Sequence, residues 1–188
     1  MKGLYTIQRN ISFVLILVLL ICLSGKTGAQ TTEYELKAAF IYNIAKFVEW
    51  IDHSTAERLD ILPLCILGDD PFGKAIDKLE GKKIQDFTLQ VHRINALDND
   101  TGCQILFISQ SMTDTIKILL DDLKHNKGIL TISDIEGFAN NGGIIELVIR
   151  DNRVQFIANI ASARNADIHL SSKILRLANV VGGNWGDN

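Results

Sequence analysis

Three short, mainly apolar runs constrain this chain most: Leu62-Pro63-Leu64-Cys65-Ile66-Leu67, which is unbroken, Cys103 to Ser109, and Ile129 to Ser133. A strand with one wet face alternates apolar and polar residues. A strand without alternation must be covered on both faces, as in a parallel sheet flanked by helices. Between these runs lie helical patterns. Thr32 to Ile51 places Leu36, Phe40, Ile44, Phe47, Val48 and Ile51 at a helical period, with Thr32 and Glu35 as a capping box. Because this helix also carries Tyr34, Tyr42 and Trp50, it is expected to pack on two sides. Pro71 suits the first position of a helix running to Leu79, and Thr113 to Asn126 reads as an amphipathic helix closed by Gly128.

Phe87 to Ile94 alternates and predicts a further strand, while Ile144 to Ile149 and Val154 to Ala158 flank a tight Asp151-Asn152 turn. A last helix is expected from Ser162 or Ser171 to Leu177, followed by a frayed tail over 182–188. The predicted fold is therefore α/β. It is a single Rossmann-like domain, a mixed sheet with a parallel core and an antiparallel C-terminal hairpin, with helices on both faces.

The first thirty residues belong to a different argument. Lys2 and Arg9 precede an apolar stretch from Ile11 to Leu23 that exits through Ser24-Gly25-Lys26-Thr27-Gly28-Ala29. This is the layout of a secretory signal peptide, with cleavage expected after Ala29. An uncleaved anchor is the alternative, although the run is short of the ~20 residues a spanning helix needs. Lipidation of Cys22 is disfavoured by the bulky Ile21 before it. The domain organisation read here is 1–29 as signal peptide, 30–181 as the domain and 182–188 as tail. Loss of 1–29 removes Lys2, Arg9 and Lys26 and no acid, taking the formal charge of -3 to -6. An acidic chain has no basic surplus to neutralise phosphates, so nucleic acid is not an expected partner. No membrane insertion is expected after cleavage.

Export leaves two cysteines, Cys65 and Cys103, in an oxidising compartment. They form either a bridge or two buried inert thiols. No catalytic motif of the serine-elbow, zinc-helix, phosphate-loop or paired-cysteine kind occurs, and His53, His92, His125 and His169 lack partners at ligand spacing. Neither cofactor nor metal is expected. Asp69 and Asp70 follow a strand where open sheets bind ligands, though capping explains at least one of them. Two candidate sites remain. The loop Ser133 to Gly143 offers Phe138, Asn140 and Asn141 for partner binding, against the alternative of a connector with Phe138 tucked inward. Near the C-terminus, Asn159, Arg164 and His169 are candidates for ligand binding, with an Arg164–Asp167 pair as the structural alternative.

Laid out in this way, the chain resembles the YfiR-like periplasmic proteins, a family grouped as a domain of unknown function. The segments that carry the resemblance are 37–50 in the first helix, Cys65-Ile66-Leu67-Gly68, 103–109, 129–134, Gly142-Gly143-Ile144-Ile145 and 168–178. The resemblance implies a commonly dimeric, non-catalytic regulator in the periplasm. Such a regulator binds the periplasmic domain of an inner-membrane diguanylate cyclase and holds down cyclic di-GMP and biofilm formation. It also implies that Cys65 and Cys103 are the family's cysteine pair, so any redox tuning acts through one bridge. A small-molecule-binding sensor of the same fold is the second function carried forward.

Overall fold

The computed structural model describes residues 27–50, 60–97, 102–151 and 153–183. Two units divide the chain, 1–33 and 34–188, and the second holds the fold. Residues 1–26, with Cys22 and most of the expected signal peptide, His53 and residues 184–188 lie outside the described residues. Helix α1 (Thr27–Ala45) runs across the expected cleavage position.

Eight strands form one sheet in the order β10-β8-β7-β6-β5-β2-β4-β3. Its centre is β4 (Phe87–Ile94), β2 (Ile61–Leu67), β5 (Ile105–Ile108), β6 (Leu130–Ser133) and β7 (Ile145–Arg150), all mutually parallel. β8 (Arg153–Asn159) returns antiparallel to β7. The short β3 (Lys83–Ile84) closes one edge antiparallel to β4, and β10 (Asn179–Val181) closes the other parallel to β8. The continuous apolar runs are indeed the covered parallel strands: every residue of β5 and of β6 is buried.

Pleating sends alternate side chains to two separate cores. Leu62, Leu64 and Ile66 of β2 join Ile105 and Phe107 of β5 under α1, α2 (Lys74–Asp77), α4 (Ile160–Asn165) and α5 (Ser172–Leu175). Cys65 and Leu67 join Leu106 and Ile108 on the opposite face, beneath α3 (Ile116–Leu123). Helices on both faces follow from that alternation.

Several boundaries differ from the sequence reading. α1 ends at Ala45, and Val48–Trp50 is a strand, β1, paired antiparallel with β9 (Ile168–Leu170). Thr32 therefore lies inside α1 rather than at its start. α1 is buried along one stripe rather than on two sides: Tyr34, Lys37, Ala38, Ile41, Ile44 and Ala45. Phe40 and Tyr42 flank it half-buried, Phe40 edge-to-face on Phe156 and the Tyr42 hydroxyl donating to the Lys83 carbonyl at 3.0 Å. α2 begins three residues after Pro71, because the Asp70 carboxylate takes the Phe72 N–H at 2.7 Å and turns the chain first. The expected helix over 113–126 is a 3-10 segment, Gln110–Thr115, leading into α3. Gly128 does not cap it; at φ +74° it turns the chain toward β6 and donates to the Ala166 carbonyl. The single C-terminal helix is instead α4 and α5 separated by β9.

Candidate functional site

In an open α/β sheet the usual ligand position is the crevice where strand order reverses, at the carboxyl ends. Here β4 lies on one side of β2 and β5 on the other, so that crevice falls between the loops after β2 and β5. Ser111, from the segment after β5, packs against the loop after β2. Gly68, at φ +86°, leaves room for Ser111, whose Oγ would lie 2.4 Å from a Cβ built on that glycine. The Asp69 N–H donates to the same Oγ at 2.9 Å. Asp70 is spent on structure: one oxygen caps the turn and the other accepts from Arg93 Nε at 2.8 Å. Arg93 also donates to Asp77 at 2.7 Å, and the Asp77 and Asp70 carboxylates together hold its guanidinium pKa above the ordinary value.

Next to it, at the end of β6, sits a buried ionic cluster. Lys37 Nζ lies 2.6 Å from Asp134 Oδ2, with side-chain exposures of 4% and 1%. The Tyr34 hydroxyl donates to that same oxygen at 2.9 Å, and the ammonium stands 4.4 Å from the centre of the Tyr34 ring. Asp134 Oδ1 is buried and accepts no hydrogen bond. The Tyr34 ring continues edge-to-face onto Phe72, and Phe72 onto Phe107. One helix is thus tied to the sheet through a charge pair fully removed from water. Sequence reasoning missed this cluster. The available signal was a lysine lying in the apolar stripe of α1 between Tyr34 and Ala38, which demands a buried counter-charge.

The loop from Asp134 to Gly143 is built around a second buried carboxylate. Glu146 of β7 accepts the Gly137 and Ala139 N–H groups, both at 3.0 Å. Phe138 is 1% exposed and lies in the core with the cysteines, Leu120 and Leu123. This corrects its assignment as a surface anchor: its ring is taken up by the space a side chain at Gly143 would fill. Asn140 and Asn141 remain exposed at the loop tip, the Asn141 amide donating back to the Gly137 carbonyl.

The C-terminal candidates are not brought together. Asn159 is 8% exposed and structural, accepting the Ser162 N–H at 2.9 Å as the N-cap of α4 and donating to the Ala139 carbonyl at 2.7 Å. Arg164 is exposed on α4, and Asp167 pairs instead with Lys127. His169 is exposed on β9 opposite Glu49. Among the described residues no group of three or more His, Cys, Asp or Glu side chains could hold a metal, and no helix is long and apolar enough to cross a membrane.

Cys65 and Cys103, 38 positions apart in sequence, form a disulfide with Cα atoms 5.8 Å apart. Cys65 is fully buried and Cys103 is 6% exposed. The bridge cross-links β2 to the approach to β5 inside the α3-side core. On the loop-entropy account such a link stabilises by roughly 3–4 kcal/mol. A Cys65→Ala/Cys103→Ala variant should lose about that much in urea denaturation, and the folded protein should show neither thiol in a titration. Two reactive thiols in the folded protein would contradict the bridge.

These features define a class: a disulfide-braced, Rossmann-like α/β domain. Within that class, the chain belongs to the YfiR/HmsC-like family, DUF4154, which it matches over residues 34–179. No curated protein matches it.

Proposed function

We propose that this protein is a non-catalytic periplasmic regulator that binds and represses an inner-membrane signalling protein of the diguanylate cyclase type. The observation that carries the reading is membership of the YfiR/HmsC-like family over nearly the whole domain. Docking falls on the tip of the 134–143 loop, where Asn140 and Asn141 stand exposed on a base fixed by Glu146 and Phe138. A rigid base spares the ordering cost that weakens flexible recognition loops. Redox control, where it operates, acts through the one bridge and requires opening of the α3-side core to reach it.

Deleting the gene should raise cyclic di-GMP and biofilm, and the intact gene should restore the low level. Asn140→Arg should relieve repression while leaving Tm within about 2 °C, because the side chain is exposed. Unchanged output in the deletion strain would remove the repressor reading. Full repression by Asn140→Arg would move the docking surface elsewhere.

A further inference from the structure

A cavity of about 100 Å³ lies between α3, α4 and the start of β6, with Gly142 of the 134–143 loop in its wall. Its floor is Leu120, Leu123, Ile129 and Ile144, so the site favours an aliphatic group. Around the mouth stand Asn126, Ser162 and Asn165. Asn126 and Ser162 are half-buried there and Asn165 is exposed. Lys124 also borders the mouth, but its ammonium is held by Asp121 at 2.6 Å, which leaves the local charge balanced. An apolar floor with a few polar groups at the rim is the usual make-up of a small-molecule site. Its size sets an upper limit, because a dry cavity of about 150 Å³ accepts benzene.

We infer that this pocket binds a small uncharged molecule carrying a branched aliphatic group of about three to five carbons beside an amide or hydroxyl. The aliphatic group enters between Leu120 and Leu123, and the polar group meets the amides of Asn126 and Asn165 and the Ser162 hydroxyl. This goes beyond the repressor reading and does not depend on it. Occupancy would link α3 of one core to α4 of the other.

Isovaleramide is the probe, titrated into the protein as isolated from the producing cell, with methyl shifts of Leu120 and Leu123 read by NMR. A ligand this small should saturate with a Kd on the order of 1 mM. Ala166→Leu, which adds a side chain at the pocket wall, should weaken binding at least about tenfold with Tm nearly unchanged. Asn126→Leu, which removes one rim amide, should weaken it several-fold while the apolar floor stays intact. Isovalerate, the same group with a charge, should bind more weakly than the amide. Absence of saturable shifts at these methyls overturns the site. Equal binding by Ala166→Leu and Asn126→Leu places the probe elsewhere and also overturns it. Tighter binding of isovalerate overturns the assignment to uncharged ligands.

Discussion

Phe138→Ala should destabilise the domain by about 3–5 kcal/mol, the range for truncating a buried aromatic ring. In a domain of this size that is a fall in Tm of roughly 6–20 °C. The ring is among the largest fully buried side chains and shares its core with the disulfide and two leucines of α3. Relaxation cannot refill the space easily. The ring lies against the backbone of Gly143, and Gly143 donates its N–H to the Phe138 carbonyl at 2.9 Å, so the loop is closed around it. A substitution at Gly143 that adds a Cβ should be destabilising for the same reason, since that atom would sit 2.1 Å from a ring carbon. Thermal and urea denaturation measure both. A Phe138→Ala protein that melts with the wild type would put the ring outside the core and return it to the surface role.

The contrast between Phe138 and the central strands shows what a sequence of this kind discloses. β2 and β5 were readable because a strand covered on both faces writes its burial locally, as a run without polar residues. The β7–β8 hairpin was readable because its partners are adjacent and its turn, with Asp151 at φ +50°, uses a residue that tolerates that conformation. Three-residue strands carry no such record. Val48↔Leu170 and Asn179↔Ile157 are pairings whose partners lie far along the chain, so Val48–Trp50 reads as the end of a helix and Asn179–Val181 as part of the domain without an element of its own. At the candidate sites, the failures were about direction. Phe138 sits in a loop without periodicity, and only the glycine five residues on decides that its ring turns inward. Asn159 was taken for a ligand group although Asn159 to Ser162 has the spacing of a helix N-cap, a reading that needed the start of α4 to be placed at Ile160. The Lys37–Asp134 pair joins residues 97 apart, and only the stripe of α1 hinted at one half of it.

That pair gives the other large effect expected here. Lys37→Met should cost about 3–5 kcal/mol, because it keeps the stem but leaves the Asp134 carboxylate buried without its counter-charge. The loss is not the worth of the ion pair. Desolvating two charges offsets much of their attraction, and the expense appears when one charge is left alone. The cluster offers little to compensate: Tyr34 donates to Oδ2, and Oδ1 already accepts nothing. A Lys37→Met/Asp134→Asn variant removes both charges, keeps an oxygen for the Tyr34 hydroxyl, and should recover most of the stability lost in the single variant. The two single variants and the double, denatured in urea, form a cycle whose coupling should exceed about 2 kcal/mol. A Lys37→Met loss under 1 kcal/mol, or losses that simply add, would mean that water reaches the pair in solution. The position of the pair gives the result a functional side. It fixes the first helix to the carboxyl edge of the sheet, beside the loop that carries Asn140 and Asn141. If that loop is the docking surface, the double variant should fold and still repress more weakly, because neutral groups hold the helix less firmly in register than a desolvated charge pair does.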